Sequence, residues 1–359
     1  MKSTPKIGID IFSGAGGLSL GAEMAGVQVL YAVEINKSAA QTFRKNHKSA
    51  DVICKDIKDV SIADFKDIPS DVFIVMGGPP CQGFSMSNTR NRTMDNPKNL
   101  LFKEFVRLVG ELKPIWFVFE NVWGITNIEH GGIIEAIEKC FDDLGLGYKM
   151  KSKVLWANEH GVPQRRNRFF MVGNRAGFDY SFPEKDENEI TVRDAIEDLP
   201  VLSNGSNFLT LPYRVPKTQA SPYAQLMRGR RLKSWQNFVS LNNDLVIKRY
   251  SFIPQGGNWR DIPEELMQNY ADKSRCHSGI YRRLKYDSPS VVISNYRKSM
   301  LIHPEQNRGL SVREAARIQS FPDDFIFCGP ISHIQQQIGN AVPPLLAKAV
   351  IDQILSYYH

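Results

Sequence analysis

Ile7-Gly8-Ile9-Asp10-Ile11-Phe12-Ser13-Gly14-Ala15-Gly16-Gly17 decides how the rest of the chain is read. A short apolar run breaks into a glycine-rich loop, and an amphipathic stretch, Leu18–Ala25, follows at once. Strand, glycine loop and helix in that order open a βαβ unit. The glycines let the main chain turn tightly and approach a ligand with no side chain in the way. Glu34 closes the next apolar run, 20 residues after Gly14, where a carboxylate accepts hydrogen bonds from ribose hydroxyls. Asp56, just beyond a third run, is placed to meet an adenine amino group. A nucleoside-containing cofactor is expected; NAD, FAD and S-adenosylmethionine proteins all use such a loop.

The same rhythm continues outward from this loop to about residue 175. Strands are expected at Ile7–Phe12, Val27–Glu34, Asp51–Cys54, Asp71–Met76, Ile115–Glu120, Lys149–Trp156 and Arg168–Gly173. Helices are expected between them at Leu18–Ala25, Lys37–Asn46, Leu101–Leu112 and Ile133–Leu144. This alternation predicts an α/β fold with a doubly wound, mostly parallel sheet. The pattern changes at the polar stretch Glu184–Glu189, which precedes a short helical piece, Val192–Leu199, ended by Pro200. From Val201 to about Arg283, Pro, Gly, Asn and aromatic residues mix with basic ones, as in a smaller, loop-rich inserted domain. Regular structure is expected again as a strand at Ser290–Ser294 and helices at Val312–Ser320 and Pro344–Tyr357.

Composition narrows the class. The chain has 359 residues, enough to bury a large core, and no run of eighteen apolar residues that would predict a membrane span. Its amino-terminal run leads straight into a strand, so no targeting segment is expected. Five cysteines (Cys54, Cys81, Cys140, Cys276 and Cys328) are scattered, without CxxC pairs, and predict neither a disulfide framework nor a metal site. Charge is more telling in its distribution. Residues 201–290 hold 14 Lys and Arg against 6 Asp and Glu, while the whole chain is +7. The basic excess therefore sits in one segment, the footprint of a polyanionic partner such as nucleic acid.

Four further runs carry chemistry. After the strand at Asp71–Met76 comes Gly77-Gly78-Pro79-Pro80-Cys81-Gln82-Gly83-Phe84-Ser85. Its glycines and prolines fix the backbone and leave a thiol at the carboxyl end of a strand, where α/β sheets gather ligands. Cys81 is thus a candidate nucleophile, although a core role stays open on this run alone. Ile115–Val122 is a buried strand ending in a carboxylate and an amide, Glu120 and Asn121. Gln164-Arg165-Arg166-Asn167-Arg168 leads into another strand, with Arg166 and Arg168 on one side by the period of two. Gln337-Ile338-Gly339-Asn340-Ala341-Val342-Pro343-Pro344 opens the last helix.

In this order the motifs resemble those of the DNA cytosine-5 methyltransferases of bacterial restriction-modification type, over nearly the whole chain. They are Phe12–Gly17, Glu34, Asp56, Pro79-Pro80-Cys81-Gln82, Asn99-Leu100-Leu101-Phe102, Glu120-Asn121-Val122, Gln164–Arg168, Arg313-Glu314-Ala315-Ala316-Arg317 and Gly339-Asn340-Ala341-Val342. The resemblance implies a Rossmann-like fold that binds S-adenosylmethionine and releases S-adenosylhomocysteine. Around the cofactor it implies Phe12, Gly14, Gly16, Gly17, Leu18, Glu34, Ile35, Asp56, Ile57, Pro79, Leu101, Asn340 and Val342. It implies catalysis by Cys81, Glu120, Asn121, Arg166 and Arg168. The Cys81 thiolate adds to carbon 6 of cytosine and Glu120 engages ring nitrogen 3, with burial raising its proton affinity. Asn121 helps hold the site, and Arg168 stabilises the cytosine carbonyl and positions the thiol.

The resemblance also divides the chain: 1–199 and 285–359 as the catalytic, S-adenosylmethionine-binding domain, and 200–284 as the target-recognition domain. A paired cytosine must flip out of the duplex to reach such a site. Gly83–Lys98 suits a loop closing over the flipped nucleotide, with Ser85, Ser87, Arg90 and Arg92 on DNA, joined by Arg228, Arg230, Arg231 and Arg260. The implied partners are double-stranded DNA and a cognate restriction endonuclease that acts separately. A cytoplasmic monomer is expected, with no metal and no membrane. A tRNA cytosine-5 methyltransferase on the same fold and a non-catalytic DNA-binding homologue are the neighbouring readings. Two positions depart from the usual pattern: valine in Pro289–Ser294 where many members carry threonine, and Lys98 where arginine is common.

Overall fold

Ile7–Ile11 (β1) is buried at every position, as a strand covered on both faces must be. In the computed structural model, which describes residues 5–68, 71–80, 101–268 and 279–358, this strand stands near the middle of a seven-stranded sheet. Chain order continues with α1 (Gly17–Ala25), β2 (Gln28–Val33), α2 (Lys37–Asn46), β3 (Asp51–Ile53) and β4 (Ile74–Gly77). Then follow α3 (Leu101–Leu112), β5 (Trp116–Val122), α4 (Gly132–Asp142), β6 (Lys149–Trp156) and β7 (Asn167–Asn174). The strand order is β3-β2-β1-β4-β5-β7-β6. The first five strands in sequence are mutually parallel, and β7 alone runs against its neighbours β5 and β6. The expected doubly wound, mostly parallel sheet is therefore found. Its order reverses at the β1–β4 pair, whose carboxyl ends flank the position where α/β sheets bind ligands.

The chain packs as two compact units. One comprises Met1–Trp156, Asn167–Lys185 and Val342–His359; the other comprises Ala157–Arg166 and Asp186–Ala341. These packing units place residues 157–166, 186–199 and 285–341 differently from the sequence-based segments. In the first unit, aromatic side chains fill the space between sheet and helices. Phe117 stacks on Phe141 with ring centres 4.1 Å apart, and Phe105 meets Phe119 edge-on at 5.3 Å. Such paired rings add to the burial of their apolar surface.

The second unit contains α5 (Val192–Ile196), β8 (Asn207–Pro212), α6 (Pro222–Arg228), β9 (Lys233–Phe238), α7 (Asp244–Ser251), α8 (Val312–Ile318) and α9 (Ile331–Asn340). Strands β8 and β9 form an antiparallel pair. Arg317 on α8 bridges Asp323 at 2.6 Å and Asp198 at 3.0 Å, and Asp198 also takes Arg228 at 2.6 Å. All four groups are buried, so each charge requires its partners. Ser290–Ser294 is not the strand expected from its valines. Ser290 makes one bridge with Gln164, and the Gln164 side chain accepts from the Ile293 amide, which substitutes for a continuing ladder. The run Gly256-Gly257-Asn258-Trp259 serves packing. Asn258 caps a turn, accepting from the Arg260 amide, and Trp259 lies against the Tyr250–Tyr281 cluster.

The last helix, α10 (Pro344–Leu355), belongs to the first unit and crosses α1 at Gly21. A Cβ on Gly21 would lie 2.5 Å from the Ala347 Cβ and 2.5 Å from the Pro344 carbonyl oxygen. Gly-to-Ala in a helix interior ordinarily stabilises by about 0.5–1 kcal/mol, whereas overpacking costs about 1–3 kcal/mol. Gly21→Ala is expected to lose stability in urea unfolding; a gain would show that the two helices do not meet this closely.

Candidate active site

The glycine loop is shaped by one carboxylate. Glu34, at the end of β2, accepts from the Gly14 amide at 2.8 Å and the Asn36 amide at 2.6 Å. Burial raises its pKa while these amides pull it down. Glu34 therefore ties the loop after β1 to the end of β2, a task its sequence position did not reveal. Gly14 and Gly16 have φ of +56° and +96°, a left-handed conformation that favours glycine. A Cβ on Gly16 would meet the His47 ring at 2.3 Å, while one on Gly14 would meet nothing within 4 Å. Gly16 is thus fixed by packing beneath the loop, and Gly14 faces open space.

The other residues expected at the cofactor are placed as follows. Phe12 holds φ of +66° at the end of β1, and Gly17 and Leu18 are buried at the start of α1. Ile35, next to Glu34, is 64 % exposed, whereas Ile57 is buried in the core. Half-buried Asp56 caps a short turn, accepting from the Lys58 amide at 3.1 Å. Leu101 packs on the core at the start of α3. Val342 is buried in the first unit, and Asn340 is exposed at the end of α9 in the second, accepting from Gln336.

Asp10 was missed as a site candidate, although a charge inside Ile7–Ile11 was the available signal. It is 1 % exposed on β1 and accepts from the Ser19 hydroxyl at 2.5 Å. Burial, opposed by that hydrogen bond and helped by Glu34, lifts its pKa to about 7. Its Oδ1 and the hydroxyl of Ser13 are buried with no hydrogen-bond partner among the described residues.

A second cluster stands at the carboxyl ends of β4 and β5. Glu120 and Arg168 form an ion pair at 2.8 Å with both side chains about nine-tenths buried. The β5–β7 register sets Glu120 opposite Phe170 and Val122 opposite Arg168, so the two charged residues are diagonal neighbours on one face. Burial lowers the Arg168 pKa, and the Glu120 carboxylate opposes that loss. Of the two glycines at β4's end, Gly78 makes room for this pair and Gly77 makes room for β1. A Cβ on Gly78 would lie 2.4 Å from Glu120 Oε2, and one on Gly77 would lie 1.9 Å from the Ile11 carbonyl oxygen. Asn121 donates from Nδ2 to the Pro79 carbonyl at 3.0 Å, holding the main chain two residues before Cys81. Cys81 itself lies outside the described residues, as do Ser85, Ser87, Arg90 and Arg92.

Two expectations are corrected. Arg166 does not extend the Arg168 face: it precedes β7, and its guanidinium donates to the carbonyls of Ile293 at 2.8 Å and Gly339 at 2.7 Å. Those hydrogen bonds go with its 1 % exposure and brace the second unit. Arg228 is 2 % exposed and paired with Asp198, so its charge is neutralised inside the protein and is not offered to DNA. Arg230 and Arg260 are exposed, and Arg231 is half-buried over the Trp235 ring.

A glycine loop at the end of β1 and a buried carboxylate–guanidinium pair at the end of β5, on this strand order, define an α/β protein of the methyltransferase class. The chain matches the C-5 cytosine-specific DNA methylase family over residues 7–356 and belongs to it. It is 40% identical to the Type II methyltransferase M1.HphI of Haemophilus parahaemolyticus, with 97% of this chain and 86% of that one covered. It is 35% identical to the Type II methyltransferase M.DdeI of Desulfomicrobium norvegicum, covering 98% and 88%. Among solved structures, an E. coli DNA modification methyltransferase encoded within a prophage superposes with a TM-score of 0.78 at 26% identity, covering 98% of each chain. The Entamoeba histolytica methyltransferase EhMeth shares the fold, with a TM-score of 0.65 at 15% identity over 99% of this chain and 100% of that one. The protein is therefore a DNA cytosine-5 methyltransferase of the kind found in type II restriction-modification systems. No described helix is long and apolar enough to cross a membrane.

The Gly78 clearance yields a prediction. In Gly78→Ala the flexible end of Glu120 must move, while the backbone need not. Misplacing a catalytic group by about 1 Å costs on the order of 100-fold in rate. Methyl transfer by Gly78→Ala is expected to fall by about that factor with the melting temperature little changed; an unaltered rate would show that Glu120 need not hold this position.

Proposed function

We propose that the protein methylates carbon 5 of a cytosine flipped out of a short, specific double-stranded DNA sequence, through a covalent bond between Cys81 and carbon 6. The observation that carries this is the buried Glu120–Arg168 pair beside Gly78, with the main chain running from there through Pro79 and Pro80 into Cys81. Carbon 5 is a poor nucleophile until something adds to carbon 6. The Cys81 thiolate supplies that addition, forming the sulfur–carbon bond as electrons move toward ring nitrogen 3. Glu120 donates a proton or hydrogen bond at nitrogen 3 and so draws charge from the ring. Arg168 holds Glu120 and stabilises the cytosine carbonyl. Asn121 keeps the approach to Cys81 in place through the Pro79 carbonyl. Removal of the carbon 5 proton then lets Cys81 leave and restores the ring.

The first unit fits S-adenosylmethionine on its own geometry. Its loop has open space at Gly14, unpartnered buried oxygens on Asp10 and Ser13, and an exposed apolar side chain, Ile35, beside Glu34. Phe12, Gly14, Gly16, Gly17, Leu18, Glu34, Ile35, Asp56, Ile57, Pro79, Leu101 and Val342 would hold it. When bound, it supplies the electrophilic methyl group that the activated carbon 5 accepts, leaving S-adenosylhomocysteine. Residues 200–284 recognise the target, and methylation shields cytoplasmic host DNA from a cognate endonuclease.

The test is bisulfite sequencing of a plasmid treated with the protein and S-adenosylmethionine. Methylated cytosines are expected at one short sequence with wild-type protein and at none with Cys81→Ser, while Cys81→Ser still shifts duplex DNA in a gel. Full methylation by Cys81→Ser, or none by the wild type on any DNA, would overturn the proposal.

A further inference from the structure

The residues just before β9 form a turn with an unusual surface. Arg228 is the interior anchor: besides its Asp198 ion pair, it donates to the Val215 carbonyl at 3.0 Å and lies 3.9 Å over the Tyr213 ring. Gly229 follows with φ of 51° and ψ of −115°, and the Arg231 amide returns to the Arg228 carbonyl at 2.8 Å. Those angles are those of a type II′ turn with glycine at its first central position, a conformation closed to other residues without strain. Lys217 donates to the Gly229 carbonyl at 2.5 Å and fixes the turn from outside. Arg231 is pinned on the Trp235 ring at 5.1 Å. What this scaffold presents is Leu232, 89 % exposed, between Arg231 and Lys233 and beside exposed Arg230.

We propose that Leu232 is a specificity residue that reads the methyl group of a thymine in the major groove of the target DNA, while Arg230 contacts phosphate. This rests on the function proposed above. An apolar side chain held out in water on a rigid turn gains by covering, and the cations around it repel cationic partners and attract a polyanion. The occupant is therefore duplex DNA. Base edges in the major groove are polar, except that thymine presents its 5-methyl group, the one apolar feature a leucine can match. Arg230, an exposed cation with no base-edge geometry imposed on it, suits the backbone. The buried Asp198–Arg228–Arg317 group sets the height of the turn, so the reading side chain is placed by the interior of the unit.

The test uses duplexes randomised around the methylated sequence, with methylation read by sequencing, for wild type, Leu232→Ala, Leu232→Met and Arg230→Gln. Leu232→Ala is expected to lose about fivefold or more of its preference for thymine at one base pair, with preferences elsewhere kept and Leu232→Met close to wild type. Deoxyuridine at that position should reproduce the loss in wild type and add nothing in Leu232→Ala. Arg230→Gln should weaken DNA binding evenly across sequences and lower the salt slope by about one. An even loss in Leu232→Ala, a target without a thymine-dependent position, or additive effects of Leu232→Ala and deoxyuridine would each overturn the assignment while leaving the methyltransferase reading intact. No methylation by wild type on any duplex would remove both.

Discussion

A carboxylate and a guanidinium buried together at the edge of a sheet constrain everything around them. Removing either partner leaves an uncompensated interior charge, at a cost of about 3–5 kcal/mol. Glu120 and Arg168 are such a pair, and the sheet is arranged to bring them together. Glu120 lies near the carboxyl end of β5, but Arg168 is near the amino end of β7. In an all-parallel sheet those two positions would fall on opposite edges. Reversing β7 places its beginning beside the end of β5, and the register then sets the two residues diagonally on one face. The antiparallel strand is thus the structural requirement of the pair. The same logic empties Gly78, whose side chain would occupy the position of the carboxylate.

Much of this was legible in the sequence because local periodicity and the fold agree. The limits of α2 and α3 match the amphipathic stretches, and all seven strands of the large sheet overlap segments expected as strands. Glu120, Asn121 and the Gly77–Pro80 run were visible as the polar or special residues that end buried strands. What could not be read was where side chains bond across the chain. Arg166 and Arg168 share a spacing of two, but β7 begins at Asn167, so the alternation does not reach back to Arg166. Ser290–Ser294 carries strand-like residues, yet a side chain from Gln164 takes the hydrogen bond a neighbouring strand would have made. Glu34 was placed correctly at a strand end, while its hold on Gly14 depends on a fold that spacing alone does not supply.

The basic segment shows the same limit in charge. Of its 14 cations, Arg228, Arg249 and Arg283 are buried, at 2 %, 2 % and 4 % exposure. Arg249 donates to the Leu266 carbonyl, and Arg283 to the carbonyls of Tyr250, Ile253 and His303. These arginines satisfy loop and helix-end carbonyls that no ladder pairs, which is how a unit poor in regular structure closes its interior. A linear charge count registers them as surface. Arg230, which is exposed, follows directly on the turn that begins at buried Arg228.

The central claim is that carbon 6 of cytosine bonds to Cys81 at the edge built by Glu120 and Arg168. A duplex carrying 5-fluorocytosine at the methylated position tests it most directly, because fluorine cannot leave as the proton does and the adduct persists. After incubation with the wild-type protein and S-adenosylmethionine, proteolysis and mass spectrometry should find the peptide containing Cys81 carrying the methylated fluorocytosine nucleotide. A stable bond at any other residue, or full methylation of the ordinary duplex with no trapped adduct on the fluorinated one, would contradict the account.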